Sequence, residues 1–161
     1  MKKSILTEDW TVVLLGFLII GLALIGIKIP SPSFGWESTS DLSEKVLTAG
    51  NLVKLAQIFI FTYVIALLAA SVLGKSVAGT AKGFPIVFVL TSLALVLAGN
   101  AFLKNWNLEA VIFSLSIGLL LSNFFTLPAW LTETLSTELF VKIGLILLGT
   151  SVIFGDILKA G

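Results

Sequence analysis

The stretch Trp10-Thr11-Val12-Val13-Leu14-Leu15-Gly16-Phe17-Leu18-Ile19-Ile20-Gly21-Leu22-Ala23-Leu24-Ile25-Gly26-Ile27-Lys28-Ile29 carries a single charge, Lys28, near its end. As a helix rising ~1.5 Å per residue, it crosses the ~30 Å hydrocarbon core of a bilayer. Further apolar runs follow at about 52–73, 84–103, 108–125 and 138–158. A chain of 161 residues has too little polar surface to bury five such segments in water. The sequence therefore predicts an all-α integral membrane protein with a single membrane domain over 1–161 and about five transmembrane helices. Four spans plus a re-entrant segment is the alternative, with 129–137 as a short interfacial or re-entrant piece whose apolar side holds Trp130, Leu131 and Leu135.

Composition narrows the function classes. The chain is 57% hydrophobic and 12% charged, with a mean hydropathy of +1.10, outside the range of soluble domains. All ten cations are lysines, so the planar guanidinium fork that reads phosphates and base edges is missing, and no nucleic-acid partner is expected. With no cysteine and no histidine, disulfides, zinc sites and imidazole bases are excluded by inventory. No carboxylate stands in the middle of an apolar run. No enzyme activity, no metal and no cofactor is expected.

Lys2 and Lys3 ahead of an apolar run resemble a signal peptide, but Glu8 and Asp9 interrupt the basic region, the run is too long, and Ile29-Pro30-Ser31-Pro32 offers no small-residue cleavage site. It reads as a retained first span, capped by Thr7 and ended by Pro30. Residues 31–50 form the longest polar loop, in which Asp41 and Glu44 resemble a capping box opening a short helix over Leu42–Ala49. Gly74–Gly83 reads as a polar link, Pro85 as a first-turn proline of the third span, and Lys104-Asn105-Trp106-Asn107 as a tight turn. Trp10, Trp36, Trp106 and Trp130 all fall at span ends or in loops, as an interfacial aromatic belt requires. With the N-terminus inside, Lys2, Lys3, Lys75, Lys82 and Lys142 lie inside, and Lys28, Lys45, Lys54, Lys104 and Lys159 outside. That balance barely fixes orientation; the acid-free link around Lys75 and Lys82 favours a cytoplasmic N-terminus.

Small residues recur at four-residue spacing: Ser114, Gly118 and Ser122 on the fourth span, Ala66 and Ala70 on the second, Ala94 and Ala98 on the third. Such faces let membrane helices approach closely. The bland reading of the fourth-span stripe is packing; the sharper one makes Ser114, Gly118, Ser122 and Asn123 part of a polar substrate pathway. Pro128, after Ser122-Asn123-Phe124-Phe125-Thr126-Leu127, marks either a helix break of the kind that frames transporter sites or a plain helix end. Thr150 and Ser151 are the corresponding polar groups of the fifth span, and they too can simply bond their own helix. Lys54 and Lys142, one turn inside their spans, either snorkel to the headgroups or serve as counter-charges for an anion.

The residues Leu127-Pro128-Ala129-Trp130-Leu131, Thr137-Glu138-Leu139-Phe140-Val141-Lys142 and Gly144-Leu145-Ile146-Leu147-Leu148-Gly149, with the opening Thr7-Glu8-Asp9-Trp10, resemble the N-terminal half of the YeiH-type bacterial membrane proteins, a sulfate-exporter family. The resemblance implies one repeat of an inverted-repeat transporter of the sodium/proton-antiporter and bile-acid-symporter type, placed in the bacterial inner membrane. The break around Asn123 to Pro128 would then be this half's contribution to the site. The family is about twice this length, and its glycine- and serine-rich second-half motif is absent here.

Two functions follow as expectations. One is the N-terminal half or a subunit of a secondary anion transporter, with sulfate or another small inorganic anion as substrate, completed by a second copy or a C-terminal half. The other is a non-transporting membrane subunit packed against a larger partner.

Overall fold

A computed structural model describes residues 7–26 and 30–134. The fifth span and its Lys142, Thr150 and Ser151 lie outside the described residues. Seven helices follow in order: α1 Glu8–Leu24, α2 Thr39–Asp41, α3 Ala49–Val72, α4 Val77–Ala98, α5 Ala101–Asn105, α6 Ala110–Phe124 and α7 Ala129–Thr134; α2 runs into one π-helical turn, Leu42–Val46. At ~1.5 Å per residue, α3 and α4 are about 36 and 33 Å long. Both are long and apolar enough to cross a membrane, and only 22% of each apolar window is buried. A core helix of a soluble protein would be covered on most sides. α1 and α6 are shorter apolar helices.

The bundle packs small residues along its seams beside a few large ones such as Leu15, Ile19, Ile65 and Phe84, and leaves most large apolar side chains outside. Ala66, Ala69 and Ala70 of α3, Gly83, Ala94 and Ala98 of α4, and Thr11 of α1 are buried, whereas Phe17 and Val111 are 68% and 70% exposed. In water that arrangement would leave a large apolar surface uncovered; in lipid it is the expected one, because helices associate through close backbone approach. The expected alanine pairs on the second and third spans are thus the ones that pack.

Helices run alternately up and down. Leu15 and Ile19 of α1 pack on Ala69 and Ile65 of α3, with Val12 and Leu73 alongside, an antiparallel register. α3 turns into α4 through a Schellman motif: Gly74 takes φ +67°, Lys75 N–H donates to Ala70 O at 2.9 Å and Gly74 N–H to Ser71 O at 3.2 Å. α4 is the hub, packing on α3, α6 and α7. Trp10 and Trp130 therefore stand at one end of the bundle and Trp36 and Trp106 at the other, the arrangement of two interfacial belts.

Three local expectations are corrected. The helix expected from Leu42 is instead opened by Ser38, whose Oγ accepts from Asp41 N–H at 3.2 Å, and it ends before Thr48, which caps α3. Asp41 spends its carboxylate on Glu37 N–H and Lys45 Nζ instead. The link expected over Gly74–Gly83 is only a few residues long, since Ser76 caps α4 by accepting from Gly79 N–H at 3.0 Å. Pro85 consequently lies well inside α4 rather than in its first turn. A proline there leaves the carbonyl of the residue four back without its helical donor. That carbonyl is Ala81 O, and the Tyr63 hydroxyl of α3 donates to it at 3.2 Å. Tyr63 is the only tyrosine in the chain, and its ring is held among Phe59, Phe84 and Phe88, with centroids 5.4 Å from Phe59 and 5.8 Å from Phe84.

Candidate functional site

The third span, expected to continue to Leu103, breaks at Gly99-Asn100. Asn100 leaves helical geometry (ψ 127°), and its side chain caps α5 by accepting from Phe102 and Leu103 N–H at 3.0 and 3.3 Å. The loop 30–38 is laid into this break. Trp36 N–H donates to Gly99 O at 3.1 Å, Ala101 N–H donates to Trp36 O at 2.9 Å, and the Trp36 indole N–H reaches Val96 O at 2.7 Å. The loop thus satisfies carbonyls that the end of α4 would otherwise leave open. Gly99 is obligatory for this fit, because a Cβ there would overlap the Phe34 carbonyl oxygen. Buried Asn51, at the start of α3, fixes the same loop. Its Oδ1 accepts from Ser33 N–H at 2.7 Å, and its Nδ2 donates to Ser33 O and Val46 O, both at 2.8 Å.

Beside the break lies a cavity of about 510 Å³, bounded by Phe34 and Gly35 of the loop, Leu95, Ala98 and Gly99 of α4, and Lys104, Asn107, Leu108, Glu109 and Ala110 where α5 turns into α6. That turn is a second Schellman motif, with Asn107 at φ +54°, its N–H donating to Lys104 O at 2.9 Å and Leu108 N–H to Leu103 O at 3.1 Å. The motif carries Lys104 and Glu109 to one pocket. Glu109 precedes α6 without a side-chain cap on its own helix, and among the described residues neither Lys104 nor Glu109 takes part in an ion pair.

The residues expected to line a pathway on the fourth span are not in this pocket. Ser114, Gly118, Ser122, Asn123 and Pro128 are all exposed. The face of α6 less exposed than its neighbours is Ala110, Phe113, Ile117 and Leu121, one step round the helix from the stripe. Ser114 Oγ donates to Val111 O at 2.9 Å, Ser122 Oγ to Leu119 O at 3.1 Å and Asn123 Nδ2 to Leu119 O at 2.8 Å, so each satisfies itself on its own helix. A Cβ on Gly118 would meet nothing within 4 Å. α6 does end at Phe125, in extended geometry, and α7 begins after Pro128. Lys54 is exposed on the second turn of α3.

Sequence reasoning missed the Gly99 break, the loop seated in it and the role of Asn51. Gly99-Asn100 is a turn-forming pair, a signal masked by the apolar residues on both sides.

No family model matches the chain, and no solved structure does. Over 88 residues, 55% of the chain, it is 38% identical to a UPF0324 membrane protein of Rhodopirellula baltica, of which the match covers 16%. Two UPF0324 membrane proteins of Nitratidesulfovibrio vulgaris are 33% and 30% identical over 89 residues, each covered to 15%. YeiH-type proteins are members of UPF0324. The match therefore takes in about half of this chain and under a sixth of the first relative; the three relatives are several times its length rather than about twice. The chain is a membrane protein whose homologues are UPF0324 membrane proteins.

Proposed function

We propose that this chain is the N-terminal half or a subunit of a secondary transporter for small anions in the bacterial inner membrane, with its N-terminus cytoplasmic and a second copy or a C-terminal half completing the pathway. The observation that carries the reading is the interrupted helix at Gly99-Asn100, beside a cavity that holds Lys104. Interrupted helices with polar groups at the break are how transporters form ion and substrate sites; this break lies at the Trp36 end of the bundle, at the mouth of a pathway, where its open carbonyls need partners. Trp36 supplies them. Sulfate is the anion suggested by the family resemblance; nothing in the lining selects it over other small anions.

The test is flux of labelled sulfate into proteoliposomes holding the purified chain. Saturable uptake above that of empty vesicles, reduced severalfold by Lys104→Gln, supports transport. Uptake unchanged by Lys104→Gln removes this pocket from the pathway. The second reading, a non-transporting subunit, is favoured by the outward stripe of Ser114, Gly118 and Ser122, which is exposed and whose hydroxyls are already satisfied. No flux from a folded chain, together with recovery of a larger membrane partner lost in Gly118→Leu, would establish it.

A further inference from the structure

We infer that the cavity beside the Gly99 break seats the zwitterionic headgroup of a phosphatidylethanolamine-type lipid, independently of any transported ion. Among the described residues, Lys104 and Glu109 are the only charged ones in its lining, and they have opposite signs. The Schellman turn holds them five positions apart on one pocket without their pairing. Two opposite charges on the lining of one cavity, without a pair between them, are complementary to a ligand that carries both signs: phosphate to the Lys104 ammonium, ethanolammonium to the Glu109 carboxylate.

Depth selects a lipid over a soluble zwitterion. The pocket lies at the end of the bundle marked by Trp36 and Trp106. Trp106 and Phe102, 68% and 63% exposed, lie tilted against each other with centroids 5.5 Å apart on the same turn as Lys104. Exposed aromatic rings at a helix end belong at headgroup level. The remaining lining is largely apolar, with Phe34, Leu95 and Leu108 able to receive the glycerol and upper acyl region. The volume of about 510 Å³ lies within the ~300–1,000 Å³ range of small-molecule sites.

The experiment is native mass spectrometry of the purified chain titrated with phosphatidylethanolamine or phosphatidylglycerol of matched acyl chains. Wild type, Lys104→Gln and Glu109→Gln are compared, with helix content confirming that each variant folds. Wild type should retain phosphatidylethanolamine about fivefold better than phosphatidylglycerol, the scale of one charge contact near a surface. Glu109→Gln should erase that preference while keeping phosphatidylglycerol, and Lys104→Gln should weaken both lipids. Equal retention of the two lipids by wild type, or a preference that survives Glu109→Gln, overturns the inference. Displacement of the lipid by free phosphoethanolamine at equal concentration also overturns it, in favour of a soluble zwitterion. Equal retention of the two lipids alongside saturable sulfate flux removes the lipid reading alone, and a retained lipid preference without flux removes the transport reading alone.

Discussion

Replacing Tyr63 by Phe removes one oxygen and keeps the ring in its cluster with Phe59, Phe84 and Phe88. What is lost is the hydrogen bond from that hydroxyl to Ala81 O at 3.2 Å, on a carbonyl that Pro85 has already deprived of its helical donor. Orphaning a buried polar group costs about 1–3 kcal/mol, while hydrogen bonds between membrane helices average about 0.6 and reach about 1.7 kcal/mol. Tyr63 is only partly buried, so Tyr63→Phe should cost about 1–1.5 kcal/mol. The diagnostic is the second background. Pro85→Ala restores an N–H four residues after Ala81, and there Tyr63→Phe should cost under about 0.5 kcal/mol, a coupling of about 1 kcal/mol. The assay is reversible unfolding in mixed micelles, followed by helix content, for all four members of the cycle. Equal costs in both backgrounds would refute the role given to Tyr63, because the hydroxyl would then be serving something other than the carbonyl freed by Pro85.

Three further outcomes are expected. Gly99→Ala drives a methyl into the Phe34 carbonyl; it should destabilise by about 1–3 kcal/mol and shift Trp36 emission as the loop lifts, measured by fluorescence against temperature in a background lacking the other tryptophans. Asn51→Asp keeps the acceptor for Ser33 N–H but loses both donors, to Ser33 O and Val46 O; it should cost about 2 kcal/mol and open the 30–48 loop to proteolysis, whereas unchanged cleavage would show the loop is held elsewhere. The Asp41–Lys45 pair, 2.7 Å apart, holds the Asp41 carboxyl below its ordinary value of 3.8 through the Lys45 hydrogen bond, and the same bond to Asp41 raises Lys45 above 10.5. The contribution of Asp41 is therefore full above pH 3.8 and lost as pH falls through its lowered folded value; that of Lys45 is full below 10.5 and lost as pH rises through its raised one. Side-chain NMR titration should find the Asp41 midpoint below 3.8 in the wild type and moved upward in Lys45→Gln.

Hydropathy made the membrane helices legible because lipid demands length and apolarity together, and those two properties are written residue by residue. It set the start of α6 within two residues, and it marked the alanines that form the seams. It failed where one residue's meaning depends on a distant partner. Pro85 reads as a helix start until Tyr63 supplies the missing donor from another helix. Gly99 reads as one more small apolar residue until Phe34, far earlier in the chain, comes to lie on it. The small stripe on α6 was legible as a stripe, but nothing in its spacing says whether a helix lies against it. Lys104 and Glu109 are unremarkable as a lysine in a turn and an acid before a helix; only the Schellman geometry gives them a common cavity.

The alanine-filled seams have a consequence for how this protein tolerates change. In a water-soluble domain the damaging substitution makes a core side chain smaller and leaves a hole. Here Ala69, wholly buried, and Ala66, Ala70 and Ala94, each 1% exposed, leave almost nothing to remove. At these positions the damaging substitution is enlargement: a Leu at Ala69 would push α1 from α3 along the length of their contact. On the rim the sensitive property is polarity rather than size, so Phe17 should exchange freely with Leu or Ile but not with Lys. A deep mutational scan should therefore return two separable signatures, volume penalties on one set of positions and charge penalties on the other, and their boundary would trace the lipid-facing outline of the bundle.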